Sequence, residues 1–323
     1  MVRTLGDPNQ ENYQYEKGWY ISSKTIGFHR DCWPNIRVIG AGVAGCNAIY
    51  RLAAAKVDYI DLLAVIPDKE FYQRFIGRVS AAEIGPGTSV YALNTNPKSL
   101  YEADVAIIVA DIEDKASMEI IPYITRLAKL NGAVTVAIIS HPMTKYDNRI
   151  TEENYYLGRL TQDGHYVDNV NTLVIIPGKT LNDRSIPLAD PFWMAEEPLW
   201  RTVQCITNFA DPLLCGLNTE SYKFLLSSDN GNMQIGRISM GFGDGEKAFD
   251  DALEMCLRSG LPLKKDNKYF VNCIMNKKVD WKIDFFCEAK KKLLPENSFF
   301  EVKLGHRFQH DIYVTMLCLN ANI

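Results

Sequence analysis

The sequence predicts an α/β protein: a Rossmann-like doubly wound parallel sheet, then a long central helix, then a smaller α+β domain with a mixed sheet. In residues 36–188, short runs of valine and isoleucine alternate with stretches of helical periodicity. Runs without polar alternation are typical of strands that helices cover on both faces. At the front of this region a glycine-rich turn joins a buried strand to a helix, and such turns open many nucleotide-binding α/β domains. These two observations predict the fold class.

Length and composition agree with that class and exclude several functions. A chain of 323 residues is long enough for about two domains. The net charge of −4 argues against a general nucleic-acid-binding protein, which would be basic. No apolar run approaches the ~18–20 residues of a membrane span, and the N-terminus is polar rather than a signal peptide. We therefore expect a cytoplasmic protein without direct membrane insertion.

The cysteines and histidines give no sign of a metal site. The eight cysteines are scattered without a Cys-x-x-Cys pair, and the five histidines are equally dispersed. Several cysteines, such as Cys256 and Cys318, lie inside apolar patterns. This usage predicts buried free thiols in a reducing compartment and no bound metal.

Elements of the first part of the chain follow from periodicity. Residues 1–35 are polar and aromatic, and we interpret them as an N-terminal arm that packs on the body or on a neighbour, or as a partly ordered extension. In the predicted nucleotide-binding-type domain, residues 36–188, the strands are Ile36–Gly40, Tyr59–Val65, Asp104–Ala110, Ala133–Ser140 and Thr172–Pro177. The predicted helices there are Gly45–Ala55, Asp114–Asn131 and Glu152–Leu160.

The second part begins with the central helix, predicted over residues 189–212 with a kink at Pro198. A C-terminal α+β domain is predicted over residues 213–323. Its helices are expected at 220–228, 245–259 and 284–294, and its strands at Ile238–Phe242, Lys268–Met275, Phe299–Leu304 and Asp311–Leu319.

The glycine-rich turn is the first candidate binding site. Glycines let a backbone approach a ligand closely, and the N–H groups of a helix N-terminus attract anions. The candidate nucleotide-binding residues here are Gly40, Ala41, Gly42, Gly45, Cys46 and Asn47. Two alternatives stay open: the turn is purely structural, or it belongs to a Rossmann module for NAD or a related ligand. The acidic residue that such a module needs after its second strand is not convincing, since Asp61 lies mid-strand.

Five segments in order resemble FtsZ, the bacterial tubulin homologue, and the resemblance runs through most of residues 36–320. Ile39-Gly-Ala-Gly-Val-Ala-Gly-Cys-Asn-Ala48 is similar to the family's Ile-Gly-Val-Gly-Gly-Ala-Gly-Cys-Asn-Ala. The other four segments are Asn131–Pro142, Asn171–Pro177, Met240–Ala248 and Asp311–Met316. The resemblance implies the FtsZ/tubulin fold, with GTP bound in the first domain. It also implies hydrolysis between subunits, where a loop after the central helix supplies two aspartates to the next subunit's nucleotide.

Parts of the pocket that the resemblance implies are retained. The first turn is intact through Asn47. Phe192 and Glu196 fall where the family has a base-stacking phenylalanine and an aspartate that reads the guanine edge. Core packing is the alternative role for Phe192. Arg149 matches a family arginine near the phosphates.

Other parts of the implied pocket are lost. The family's Gly-Gly-Gly-Thr-Gly-Thr-Gly falls on Glu113–Glu119, so the glycines are gone and carboxylates stand where phosphates would bind. Two like charges ~5 Å apart repel by roughly 3 kcal/mol at an effective dielectric of ~20. The alternative is that Asp111 or Asp114 simply caps the helix that follows.

The implied catalytic loop has changed as well. It aligns with Gly216–Lys223, where Asn218 and Ser221 replace the two aspartates. Neither side chain can act as a carboxylate toward an attacking water. Glu220 lies between them and is the one candidate substitute, so no catalytic residue is assigned.

From these losses we expect a divergent FtsZ/tubulin-like protein that does not hydrolyse GTP and needs no bound cofactor. It would act as a scaffold, filament former or filament modulator, with itself or another FtsZ/tubulin-like protein as partner. The alternative is an active, unorthodox GTPase that binds GTP or GDP, uses Glu220, and polymerises like FtsZ in cell division or a cytoskeletal role. The sequence ends at Ile323, after the last predicted strand, so we expect no C-terminal recruitment peptide of the kind FtsZ proteins carry.

Overall fold

A computed structural model describes a core of the chain that is built on one sheet. The described residues are 3–4, 33–54, 60–66, 80–83, 89–92, 103–112, 114–140, 170–176, 191–210, 217–227, 233–258, 267–276, 298–305 and 310–319. The strands are β1 (Arg3–Thr4), β2 (Ile36–Ala41), β3 (Ile60–Ile66), β4 (Ser80–Glu83), β5 (Ser89–Ala92), β6 (Val105–Asp111), β7 (Val134–Ser140), β8 (Thr172–Ile176), β9 (Gln234–Gly243), β10 (Lys268–Asn276), β11 (Ser298–Gly305) and β12 (Ile312–Leu319). The helices are α1 (Gly42–Ala54), α2 (Lys115–Leu130), α3 (Pro191–Thr207), α4 (Thr219–Leu225) and α5 (Ala248–Arg258), with single 3₁₀ turns at Asn208–Ala210 and Gly245–Lys247.

The first half of the sheet is parallel, as predicted. Strands β3, β2, β6, β7 and β8 are neighbours in that order and all run the same way. Every residue of β2 and β7 is buried. Alternate residues of β2 face opposite cores, since Val38 packs with α1 and α3 whereas Ile39 packs with α2. Helices thus cover both faces of the strands, which is the reason their sequences lack polar alternation.

Helix ends agree with the prediction at α2 and differ at α1. Asp114 caps the N-terminus of α2 and Asn131 closes its C-terminus, as the predicted span implies. Helix α1 begins at Gly42, three residues earlier than predicted, because Gly42 takes a φ of +69° and the helix follows the strand at once. The predicted helices Glu152–Leu160 and 284–294 lie outside the described residues.

The second half of the sheet is mixed, as predicted, and is continuous with the first. Strand β9 pairs in parallel with β8, from Thr172 against Gln234 onward. Beyond it, β9, β12 and β10 are antiparallel neighbours, and β11 is parallel to β10. One sheet therefore runs through both predicted domains, whose boundaries stay a prediction. Helix α3 packs against both halves and occupies the place predicted for the central helix; the kink at Pro198 stays a prediction as well.

Three short strands were not predicted. Strands β4 and β5 form an antiparallel hairpin on the edge of the sheet next to β3. Strand β1 pairs in parallel with β11, from Arg3 against Lys303, so this part of the N-terminal arm lies on the body. The rest of the arm lies outside the described residues.

The described cysteines are buried, as predicted, and belong to no disulfide. Those concerned are Cys46, Cys205, Cys256, Cys273 and Cys318. The other three cysteines lie outside the described residues. In the part of the chain that the structure describes, no helix is long and apolar enough to cross a membrane.

Candidate functional site

The glycine-rich turn lies at the carboxyl end of β2, where it starts α1. A Cβ added to Gly40 would lie 2.3 Å from the carbonyl oxygen of Gly45, and one added to Gly45 would lie 2.1 Å from that of Val109. Real Cβ atoms do not approach a backbone so closely, so α1 packs on β2 and β6 only because these residues are glycines. Two of the three motif glycines therefore have a packing role within the chain.

Cys46 belongs to the same packing. Its thiol donates to the carbonyl oxygens of Gly40, over 3.5 Å, and of Val65, over 3.8 Å. The pKa of the Cys46 thiol is raised to about 12, mainly by burial and to a smaller extent by the nearby charge of Asp114, while the hydrogen bond to Val65 acts in the opposite direction. Ala41 is buried and Asn47 is half-buried. The thiol is a packed, protonated group and not a nucleophile.

The remaining glycine of the turn, Gly42, lies against a carboxylate. A Cβ on Gly42 would lie 1.8 Å from Oδ2 of Asp114 and 2.0 Å from Oγ of Ser117. Asp114 is held there by its own capping bonds: Ser117 donates its backbone N–H to Oδ1 over 3.3 Å and its hydroxyl to Oδ2 over 2.6 Å. The predicted capping role of Asp114 is confirmed, and the cap brings its carboxylate against the first turn of α1.

A second carboxylate lies at the same edge of the sheet. Asp111 ends β6 and accepts a short hydrogen bond from the hydroxyl of Ser140, which ends the neighbouring β7. Asp111 therefore does not cap α2, which was its alternative predicted role. Neither serine, Ser117 or Ser140, was singled out from the sequence. The one usable signal was the Asp-x-x-Ser spacing at Asp114, which is typical of a helix N-cap.

Several predicted nucleotide-binding residues cannot be placed in this site. Arg149 and Glu113 lie outside the described residues. Phe192 and Glu196 belong to α3, but their side chains are outside the described part. Their roles as base-stacking and base-reading groups stay predictions.

Asn218 and Ser221, which are predicted to replace the family's aspartates, lie at the start of α4. Oδ1 of Asn218 accepts the backbone N–H of Ser221 over 2.8 Å, so Asn218 is the N-cap of this helix. Glu220 lies in the first turn and is exposed, as is Ser221. Together with Phe299 of β11, α4 lines an open groove of about 590 Å³, formed by Leu217, Glu220, Ser221, Phe224, Leu225 and Phe299.

Helix α4 is fixed at the amino ends of the parallel strands. The hydroxyl of Thr172, the first residue of β8, donates to the carbonyl oxygen of Leu226 over 2.6 Å. Lys223 donates to the carbonyl oxygen of Gly132, just before β7, over 3.4 Å. Tyr222 donates its hydroxyl to the carbonyl oxygen of Ile206, which ties α4 to α3.

The glycine turn and α4 therefore lie at opposite edges of one sheet. The turn follows the carboxyl end of β2, and α4 lies at the amino ends of β7 and β8. Strands of about six residues at ~3.3 Å each separate these edges by roughly 20 Å. One chain cannot bring Glu220 to Gly42. Among the residues that the structure describes, no three His, Cys, Asp or Glu side chains come together as a metal site requires.

Comparison with known proteins agrees with this architecture. No family model matches the sequence. The chain is 28% identical over 245 residues to cell division protein FtsZ 1 of Thermococcus kodakarensis, which covers 70% of this chain and 63% of that protein. It is 24% identical over 246 residues to FtsZ 1 of Halobacterium salinarum, which covers 70% of this chain and 60% of that protein. The fold matches the solved structure described as "FtsZ dimer, empty", from M. jannaschii, with a TM-score of 0.64 at 20% identity over 90% of this chain and 89% of that chain.

This chain is thus similar in sequence to FtsZ proteins and shares their fold. A second structure, CetZ from Methanosaeta thermophila, matches with a TM-score of 0.56 at 9% identity, over 90% of this chain and 87% of that chain. The predicted FtsZ/tubulin fold is thereby confirmed. The FtsZ-like chain spans about 60% of the length of these two curated relatives.

Proposed function

We propose that this FtsZ-like chain is a non-hydrolysing scaffold that acts by associating with copies of itself or with another FtsZ/tubulin-like protein. One observation carries the proposal: the two positions that would supply catalytic carboxylates, Asn218 and Ser221, are joined to each other in a helix cap. Neither presents a group that can polarise a water molecule.

The glycine turn and α4 lie at opposite edges of the sheet, and this arrangement supports association between copies of the chain. Phe224 on α4 is 58% exposed at the amino edge of the sheet, and Val43 on α1 is 53% exposed at the carboxyl edge. Exposed apolar side chains at opposite ends of a molecule favour head-to-tail stacking of copies. Contacts of that kind are heterologous and extend into a filament unless the rotation closes a ring. The curated relatives are named cell division proteins, and a cytoplasmic role of that kind is the setting that we propose.

Sedimentation with negative-stain electron microscopy, with and without GTP, tests the proposal. The wild type should pellet or form filaments in both conditions. Phe224→Glu should lose this association, because a charge would enter the stacked contact. Tyr123→Glu is the matched control, since Tyr123 is 49% exposed on the flank of the molecule, on α2, and its variant should behave as the wild type. A wild type that stays monomeric in both conditions, alone and with FtsZ, would overturn the proposal.

The second candidate function is GTP hydrolysis through Glu220. Its exposure in the first turn of α4 favours this alternative, because a neighbouring copy could reach it. If the protein turns over GTP, Glu220→Ala should abolish the activity. The absence of measurable nucleotide affinity would remove this candidate.

A further inference from the structure

We propose that Asp114 is a built-in anion that occupies the phosphate position of the glycine turn, so that the chain keeps its first turn closed by an intramolecular carboxylate instead of a nucleotide. This inference rests on the proposed function only in taking the glycine turn as the remnant of a nucleotide pocket. It does not depend on whether the chain associates.

The contact itself is the first argument. The Cβ direction of Gly42 points at Oδ2 of Asp114, with 1.8 Å between that atom and an added Cβ, and at the Ser117 hydroxyl 2.0 Å away. A phosphate group is larger than a methyl group, so it cannot enter this space while the Asp114 side chain is there. The family's glycine loop would leave the same space open.

The electrostatic setting is the second argument. Helix α1 is thirteen residues long, and its N-terminus carries the partial positive charge that attracts anions in nucleotide-binding turns. Asp114 lies close enough to this end for its charge to act on Cys46, in the second turn of α1. The carboxylate thus supplies the negative charge that a phosphate would bring.

The restraint on Asp114 is the third argument. Both carboxylate oxygens accept bonds from Ser117, one from the backbone N–H and one from the hydroxyl. These bonds belong to the cap of α2, which is held in the core by Met118 and Ile121. The carboxylate is therefore part of a folded element and does not depend on a flexible side chain for its position.

Calorimetric titration with inorganic pyrophosphate and with GDP, at low ionic strength, tests the inference. The wild type should bind neither. Asp114→Asn removes the charge and keeps a capping side chain of the same volume, and Asp114→Gly removes charge and volume with a residue that is tolerated at an N-cap. Affinity for pyrophosphate should rise at least about tenfold in Asp114→Gly, which removes both the like charge and the steric block, and by less in Asp114→Asn, whose amide still fills the space.

The matched control is Asp111→Asn. It removes one negative charge from the same edge of the sheet, but from a carboxylate that is bound to Ser140. Its affinity for pyrophosphate should stay at the wild-type level. Three results would overturn the inference: tight binding by the wild type, no gain in either Asp114 variant, or an equal gain in Asp111→Asn. Circular dichroism shows whether each variant is folded, and Asp114→Ser, an uncharged and smaller capping residue, decides the outcome if Asp114→Gly is not.

Failure of this inference and failure of the proposed function are distinguishable. Sedimentation of the wild type reports on association alone, whereas the titrations report on the glycine turn alone. A chain that associates but gains no anion binding in the Asp114 variants would keep the proposed function and lose this inference.

Discussion

The backbone N–H of Ser221 donates to Oδ1 of Asn218 over 2.8 Å, and this bond closes the first turn of α4. The two residues predicted to replace the family's aspartates thus form one structural unit, the N-cap of α4.

Loss of that cap should be measurable as a loss of stability. Asn218→Ala should lower the free energy of unfolding by about 1 kcal/mol, because the N–H of Ser221 loses its acceptor. Asn218→Asp should change it by no more than about a few tenths, since aspartate caps equally well. Urea denaturation of the purified variants measures both values. Ser221→Ala is the control and should be nearly neutral, because Ser221 contributes only its backbone. Equal losses in Asn218→Ala and Asn218→Asp would contradict the capping role.

The close packing of α1 gives a second prediction. Gly45→Ala should lower the free energy of unfolding by about 3 kcal/mol, because the new methyl group meets the carbonyl oxygen of Val109 at 2.1 Å. Gly132→Ala provides the comparison: Gly132 has a φ of +85° but nothing within 4 Å of an added Cβ. Its variant carries only the cost of the left-handed conformation, about 1 kcal/mol.

Thermal or urea denaturation of the two glycine variants distinguishes these costs. Addition of GTP should change neither value if the glycines serve packing alone. A Gly45→Ala variant as stable as Gly132→Ala would show that α1 does not press on β6 as the structure describes.

A third prediction concerns pH and the ion pair at the end of β9. Oδ2 of Asp244 lies 2.8 Å from Nδ1 of His310, and Oδ1 accepts the backbone N–H of Asp311 over 2.9 Å. Partial burial raises the pKa of Asp244, but the bonds from His310 and Asp311 and the charge of His310 outweigh it, so the pKa lies below its ordinary value. A carboxyl group with a lowered folded-state pKa stabilises the fold above its unfolded pKa. That stabilisation is lost as the pH falls through the folded pKa.

Melting temperatures from about pH 7 down to about pH 3 test the sign of this effect. Asp244→Asn should melt below the wild type at neutral pH, and the two curves should converge as the pH falls. Glu254→Gln is the control, since it breaks an exposed pair with Arg258 on α5, and such pairs contribute little. A constant gap between Asp244→Asn and the wild type at every pH would contradict the prediction.

Much of the fold could be predicted because its strands are buried on both faces. Mostly apolar runs such as Val134–Ser140, which is buried throughout, have no solvent face, so their sequences differ sharply from those of helices and loops. The span of α2 could be predicted equally well from the sequence, because Asp114 and Asn131 are residues that cap helices. The replacement of catalytic carboxylates at Asn218 and Ser221 stays a prediction from the aligned positions.

The remaining features depend on contacts between distant residues. The start of α1 at Gly42 is set by a positive φ, and Asp114 meets Gly42 because β2 and β6 are neighbours in the sheet. Strand β4, Ser80-Ala-Ala-Glu83, has only four residues and no large apolar side chain, so its sequence carries no clear alternation. The pairing of β8 with β9 joins residues about sixty positions apart, and no local sequence pattern predicts it.

GTP turnover by the purified wild type, measured over a range of protein concentrations, tests the proposed loss of hydrolysis most directly. The predicted result is no phosphate release above the rate without protein, at every concentration, including those at which the chain sediments as an assembly. Release of phosphate that rises steeply with protein concentration would mean that a site is completed between subunits. That result would contradict the assignment of this chain as a non-hydrolysing scaffold.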